Sequence, residues 1–320
     1  MDFRKLVEQA IKSSSGHNTQ PWQFKIHENE IQVYPDLSRS LTVVDADNHA
    51  LYISLGCAVE NIVISARHFG LNPVVDLSEH TDGEAFISIT FSKNNRPGDD
   101  ELFHYIDERQ STRNEYEDKK VPDDDFLELE NSFSQKGIST MRFTDSQNIK
   151  KLEQFIIEGS NKQFMKKSFV NELIEWIRFS KREAEQTGDG IWASSMGMPN
   201  SGRFIGEIVM KYFVSAKSEA KRWKKLIDAS AGFFLFLADK NDIPHWIRLG
   251  RAFQRFGLTA TKLGINHAHV NMPCEEMEVR ERMASEFGFP NKHPLLLIRF
   301  GYSEKMPYSY RRRADEVITN

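Results

Sequence analysis

The sequence predicts an α+β protein: two fused halves form an intrachain pseudo-dimer, with mainly antiparallel sheets flanking central helices and a helical insertion in the second half. Three observations predict it. One stretch of chain returns at a spacing of 194 positions. Each copy is a long apolar helix closed by glycine. Short alternating segments, such as 23–27 and 30–34, read as paired strands.

The repeat is read without gaps. Shifting 51–72 onto 245–266 places Leu55 on Leu249, Gly56 on Gly250 and Ala58 on Ala252. Further on, Ala66 meets Ala260, Gly70 meets Gly264 and Asn72 meets Asn266; Tyr52 falls on Trp246, and upstream Asp45 on Asp239. Two buried helices could share composition by chance, but both glycines fall in register. A two-fold interface uses one patch twice, so each long helix is expected to face its copy.

Element by element, residues 2–12 place Phe3, Leu6, Val7, Ala10 and Ile11 at helical spacing, and the polar run 13–18 breaks that helix. After the hairpin comes the helix 51–69, stopped at Gly70. Strands are expected at 74–77 and 85–91, and a polar linker with Pro97 and Gly98 at 93–100. This divides the chain into halves 1–98 and 99–320. The second half predicts helices at 102–109 and 123–134, the latter with acidic residues in its first turn, and a strand at 138–143. Residues 146–225 are mostly helical, interrupted by a glycine-rich break at 187–202. The continuous apolar run 232–238 reads as a buried strand. A helix at 243–263 stops at Gly264, and a helix at 274–287, a strand at 295–302 and a short strand-like segment at 316–318 complete the chain.

Composition narrows the function. The 320 residues carry 42 basic and 46 acidic side chains, a net charge of -4, so no global electrostatic case exists for nucleic acid or an acidic membrane as partner. Cys57 and Cys274 are far apart and form no CxxC pair, which points to neither a disulfide framework nor a metal site. The charged N-terminus lacks a signal peptide's apolar stretch, and the longest apolar run, 229–238, is half a membrane span. A cytoplasmic location is expected. No GxGxxG, GxxxxGK[ST], HExxH or GxSxG pattern occurs.

Three segments carry chemistry. Ser14, Ser15, His17, Asn18 and Gln20 gather hydroxyl and amide groups on a loop that Pro21 and Trp22 can anchor; a polar turn ending a helix reads the same way. In the segment 109–113, alternation projects Arg109, Ser111 and Arg113 to one side, two guanidinium forks around a hydroxyl, suited to phosphate. A solvated basic stretch is the other reading. Arg311, Arg312 and Arg313 form a basic triplet in the tail, commonly a surface feature.

Together these segments resemble the nitroreductase family. Arg109, Ser111 and Arg113 match its Arg-x-Ser-x-Arg phosphate motif, and Ser15, Asn18, Gln20, Pro21 and Trp22 match its Ser-x-x-Asn-x-Gln-Pro-Trp loop. The family carries the arginine motif first. Here the loop opens the chain and the arginine motif lies in the second half, where 137–143 stands in place of a loop. The resemblance therefore implies one FMN per chain, with the phosphate held by the second half and the ring and ribityl chain met by Ser14, Ser15 and Asn18 of the first. Length and layout resemble the fused, Acg-like group. The resemblance further implies a ring contact at Lys225 (with Arg222 where an asparagine is usual), a flavin-side strand end near Asn271 and Met272 lacking the family's acidic-glycine pair, and phosphate contacts from Arg311 and Arg313.

It also implies NAD(P)H as electron donor and a nitroaromatic or quinone-like acceptor. No side chain is assigned as a catalytic acid or base, although His17, His267 and His269 are expected near the site. The insertion 159–225 is expected to cover the flavin as a lid. The alternative is an FMN-binding or storage protein with little turnover. The partners expected are small molecules, without nucleic acid or membrane, in a chain that is a monomer with an internal pseudo-dimer or a homodimer.

Overall fold

A computed structural model describes residues 2–79, 85–94 and 100–319. In chain order the elements up to residue 94 are α1 (Arg4–Ala10), β1 (Trp22–Ile26), β2 (Glu30–Pro35), α2 (His49–His68), β3 (Leu71–Glu79) and β4 (Ala85–Lys93). From residue 100 they are α3 (Asp123–Asn131), β5 (Ile138–Phe143), a mostly helical stretch, β8 (Gly232–Ala238), α9 (Ile243–Lys262), β9 (Asn266–His269), α10 (Met272–Glu275), α11 (Met277–Glu286) and β10 (His293–Gly301). Between β5 and β8 lie α4 (Ser146–Met165), α5 (Lys167–Trp176), β6 (Ile177–Arg178), α6 (Lys181–Thr187), β7 (Ile191–Trp192), α7 (Arg203–Tyr212) and α8 (Ala216–Asp228).

Both four-stranded sheets are antiparallel, and their orders correspond: β1-β2-β4-β3 and β5-β8-β10-β9. In each, the third and fourth strands follow the long helix. The tail returns to the first sheet, where Phe24 N–H donates to the Val317 carbonyl at 2.8 Å and Thr319 N–H to the Phe24 carbonyl at 2.8 Å. Thr112 N–H donates to the His267 carbonyl at 2.9 Å, so the segment after Arg109 extends the edge of the second sheet.

The two long helices pack on each other at the repeated glycines. A Cβ on Gly56 would lie 2.2 Å from the Ile247 carbonyl oxygen, and one on Gly250 would lie 2.0 Å from that of Ile53. These are the same contact made twice, because both pairs map onto each other by the shift of 194. Leu55, Ala58 and Val59 of α2 and Ile247 of α9 pack with the first sheet, whereas Ile53 and Cys57 join Leu249, Phe253 and Phe256 on the second. Buried polar pairs tie the helices: Gln254 Nε2 to Asn61 Oδ1 at 2.8 Å, and Glu60 to Arg251 and Arg255 at 2.8 and 3.0 Å. Gly70 and Gly264 end the helices at φ of 76° and 70°, a conformation glycine adopts without steric cost. By length and composition α2 could cross a membrane, but 89% of its apolar window is buried inside the protein.

Several boundaries differ from those the sequence predicts. Residues 102–109 form only a 3-10 turn, Glu101–Tyr105, before an extended segment. The expected helix 274–287 is two helices, parted by the extended conformation of Glu276. The tail carries a 3-10 turn, Ala314–Glu316, and a single bridge at Ile318 rather than a strand at 316–318. Residues 95–99 of the expected linker, with Pro97 and Gly98, lie outside the described residues.

Candidate functional site: an arginine-lined cavity beside the second sheet

A cavity of about 380 Å³ is walled by the turn after α1, by α2, by the second sheet and by the insertion, a volume within the range of cofactor pockets. The turn contributes Ser14, Ser15, Gly16 and His17. Its backbone is unusual: His17, Asn18 and Gln20 have φ of 45°, 55° and 53°, left-handed conformations that cost energy in residues bearing a Cβ and persist where surroundings impose them. The surroundings are visible. Asn18 Nδ2 donates to the carbonyls of Gly190 (2.8 Å) and Tyr310 (3.0 Å), Gln20 Nε2 donates to that of Gly188 (2.8 Å), and Arg312 N–H donates to Gln20 Oε1 (2.9 Å). The loop thus clasps the insertion and the tail.

At the polar end four arginines gather, Arg109 and Arg299 buried and Arg113 and Arg311 half-buried. Arg109 Nη2 reaches the Lys12 carbonyl at 3.2 Å, and Arg311 Nη2 the Ser13 carbonyl at 3.4 Å. Arg113 lines the cavity, as does Arg299, which stacks on Tyr116 at 4.1 Å. Among the described residues none of these four has a carboxylate partner. Arg109 Nε and Nη1, Arg299 Nη1, Arg311 Nε and the hydroxyls of Ser13 and Ser14 are buried without a hydrogen-bond partner. Burial, with Arg109 and Arg113 adding like charge, lowers Arg311 to about 9; burial and then Arg222 lower Arg113 to about 10. Buried charge without compensation is costly, and the group this cluster lacks is an anion. The histidines beside it are neutral: burial and Arg113 bring His17 to about 4, and burial with Arg113 and Arg109 brings His269 to about 3. His267 is also lowered, by burial and then Arg109.

Of the residues singled out from sequence, Ser14, Ser15, Arg113 and Asn271 line the cavity; Arg109, buried, and Arg311, half-buried, stand near Arg113 just behind that lining. The structure places the others away from the lining. Asn18 is turned into the insertion and tail. Ser111 stands opposite His267 at the edge of β9, its carbonyl accepts from Arg113 Nη1 at 3.4 Å, and it lies outside the lining. Lys225 is 69% exposed and pairs with Glu115 at 2.6 Å. The lining face of α8 is Glu219, Arg222, Trp223 and Leu226, spaced i, i+3, i+4 and i+7, and Lys225 falls off it. Arg313 is exposed because the extended tail ends there; its N–H donates to Glu316 Oε2 at 2.6 Å as the 3-10 turn begins. Sequence reasoning missed Arg299, whose signal is a lone charge inside the apolar run of β10, and Glu275.

Glu275 lines the cavity and accepts from Gln163 Nε2 at 2.6 Å. Burial raises its carboxyl to about 7, against the opposing Gln163 bond. A raised acid favours the folded state most below its ordinary value of 4.5, and that contribution is lost as pH rises through about 7. Glu275→Gln is therefore expected to narrow the fall in stability between pH 4.5 and 7. Because the carboxyl is partly exposed to the cavity, the gain above pH 7 is about 1 kcal/mol; urea melts of the ligand-free protein across this range measure it.

The chain is similar along its length to two mycobacterial proteins. Both, from Mycobacterium tuberculosis strains CDC 1551 and H37Rv, are provisionally named as NAD(P)H nitroreductases and are 20% identical, over 98% of this chain and 90% of theirs. Among solved structures, a Bacteroides fragilis nitroreductase with bound FMN is 15% identical, covering 66% of this chain and 93% of that one at a TM-score of 0.39. The FMN-dependent nitroreductase NfnB of Mycobacterium smegmatis, solved with NADPH, is 11% identical, covering 64% and 92% at a TM-score of 0.40. No protein-family model matches the chain.

Proposed function

We propose that this chain is an FMN-binding oxidoreductase of nitroreductase type, fed by NAD(P)H and built as a tandem pseudo-dimer around one flavin. The observation that carries the proposal is an arginine group without a carboxylate partner among the described residues, whose guanidinium groups reach the Lys12 and Ser13 carbonyls and keep buried nitrogens unpartnered, as are the Ser13 and Ser14 hydroxyls. A phosphate monoester supplies the missing charge and acceptors at once. The mycobacterial relatives named as NAD(P)H nitroreductases favour the same reading.

Arg109, Arg113 and Arg311 would hold the phosphate; Ser14, Ser15 and Asn271 would meet the polar parts of the ring and ribityl chain. FMN, when bound, supplies a two-electron relay between nicotinamide and acceptor. The chain's own residues position and shield. Asn18 and Gln20 hold the strained turn in place. Arg299, braced by Tyr116 and the Asn114 carbonyl at 2.7 Å, adds positive potential. Phe164, Phe169, Met196, Met210 and Trp223 of the insertion form an apolar wall that excludes water.

Corresponding sheet orders and the reciprocal glycine contacts support two quasi-equivalent halves, which we assign to 1–98 and 99–320, with residues 159–225 as a lid. Two free, buried cysteines favour a reducing, cytoplasmic location. The acceptor assigned is a nitroaromatic or quinone-like ring, suited to the apolar wall.

Purified protein is expected to be yellow and to hold one FMN per chain. Rapid bleaching by NADPH or NADH in stopped flow supports the oxidoreductase. The walling of the cavity by the insertion favours a second reading, a flavin-holding protein; bleaching only by dithionite would establish that one. Colourless protein that gains no flavin on incubation with FMN overturns both.

A further inference from the structure

The insertion presents a surface that the cavity does not use. On α7 the outward residues are apolar: Phe204 (78% exposed), Ile205, Ile208, Val209, Tyr212 (78%) and Phe213 (73%). Inward, Gly206 lies against the Phe179 ring and Met210 joins a small core with Ile174 and Ile177. Polar residues occupy a narrow strip, Arg203, Glu207 and Lys211, which pair with one another. A helix apolar on nearly all sides is one whose outer face is covered in its working state.

Charge indicates the cover. The turn 213–215 leads directly into α8, where Lys217, Lys221 and Lys224 are exposed and, among the described residues, form no ion pair. Their spacing of i, i+4 and i+7 places them on one face. Residues 203–225 contain seven Lys or Arg against two Glu, a net charge of +5 in a chain whose total is -4. Aromatic and aliphatic residues beside a lysine stripe match an anionic lipid surface, where rings sink to headgroup depth and lysines meet phosphates. A second copy suits the face less well, since two-fold contact would set one such positive patch against another.

We propose that α7 and α8 form a peripheral docking site for an anionic lipid bilayer. This reverses the expectation from net charge, which averages away a local segregation of sign. The inner sides of the same helices give Met210, Trp223 and Leu226 to the cavity wall, so the docked surface lies one helix thickness, about 10 Å, from the cavity. That proximity suits an acceptor dissolved in lipid, a consequence that alone rests on the flavin reading.

The test is co-sedimentation of the full chain with vesicles of phosphatidylglycerol and phosphatidylcholine, and with phosphatidylcholine alone; no redox activity is read. Binding to the anionic vesicles is expected, weakened by salt. Two triple variants, Phe204→Ser/Tyr212→Ser/Phe213→Ser and Lys217→Glu/Lys221→Glu/Lys224→Glu, should each lower partitioning at least tenfold, with thermal melts unchanged because the side chains are exposed. Absence of binding, equal binding to phosphatidylcholine alone, or variants that bind like the parent would overturn the proposal. So would a concentration-dependent dimer that the serine variant dissociates while no vesicle binds.

Discussion

Replacing Arg109 and Arg311 together by methionine is expected to remove nearly all preference for FMN over riboflavin. The two ligands differ only in the phosphate, so their affinity ratio isolates the contact proposed for these arginines. Each charge-assisted contact is worth about 1.5–3 kcal/mol, roughly a tenfold to hundredfold change in Kd per arginine. Both guanidinium groups reach the turn at Lys12 and Ser13 and keep buried nitrogens free. Isothermal titration of parent and double variant with each flavin gives the ratio directly. Lys225→Ala, at an exposed residue paired with Glu115, is the control and should leave it unchanged. A double variant with the parent's FMN-to-riboflavin ratio would remove the phosphate from this site.

Gly250→Ala is expected to destabilise the chain by about 3 kcal/mol, although alanine is the better helix former by about 1 kcal/mol. The new Cβ would stand 2.0 Å from the Ile53 carbonyl oxygen and 2.9 Å from Gly56 Cα. Both are backbone, so no side chain can swing aside; the helices must separate and loosen contacts on both sheets. A fall in Tm of about 5 °C corresponds to this cost in a chain of this size. Gly56→Ala should behave similarly, by the reciprocal contact with Ile247. The double variant should cost less than the sum, because helices already parted by one methyl group admit the second more cheaply. Full additivity in thermal or urea melts would show that the two glycines do not share one crossing.

How far the site could be read from the sequence depended on whether the signal was local. Gly56 and Gly250 were found as a repeat, and Gly70 and Gly264 as helix stops, because periodicity and backbone freedom are properties of neighbouring residues. The serine loop and the arginine pair were found because their residue types announce polar recognition. Their inward or outward direction was not legible. Lys225 and Arg222 stand on different faces of one helix, and only the structure shows which face lines the cavity; the resemblance implied both Arg311 and Arg313, but the tail turns into a 3-10 helix at Arg313 and leaves it exposed. Arg299 was hidden in an apolar strand, and Glu275 in a helix broken at Glu276.

The amino-acid order alone therefore determined the two long helices, their glycine notches and most strands, since each follows from spacing along a few turns of chain. Only the tertiary structure decided which side chains share a cavity. Lys12 meets Arg109, Ser13 meets Arg311 and Asn18 meets Gly190 across separations of 97 to 298 residues. Such meetings depend on how whole sheets and helices pack, and the tail's return to the first sheet and the arginine group's want of carboxylates appear only once that packing is complete.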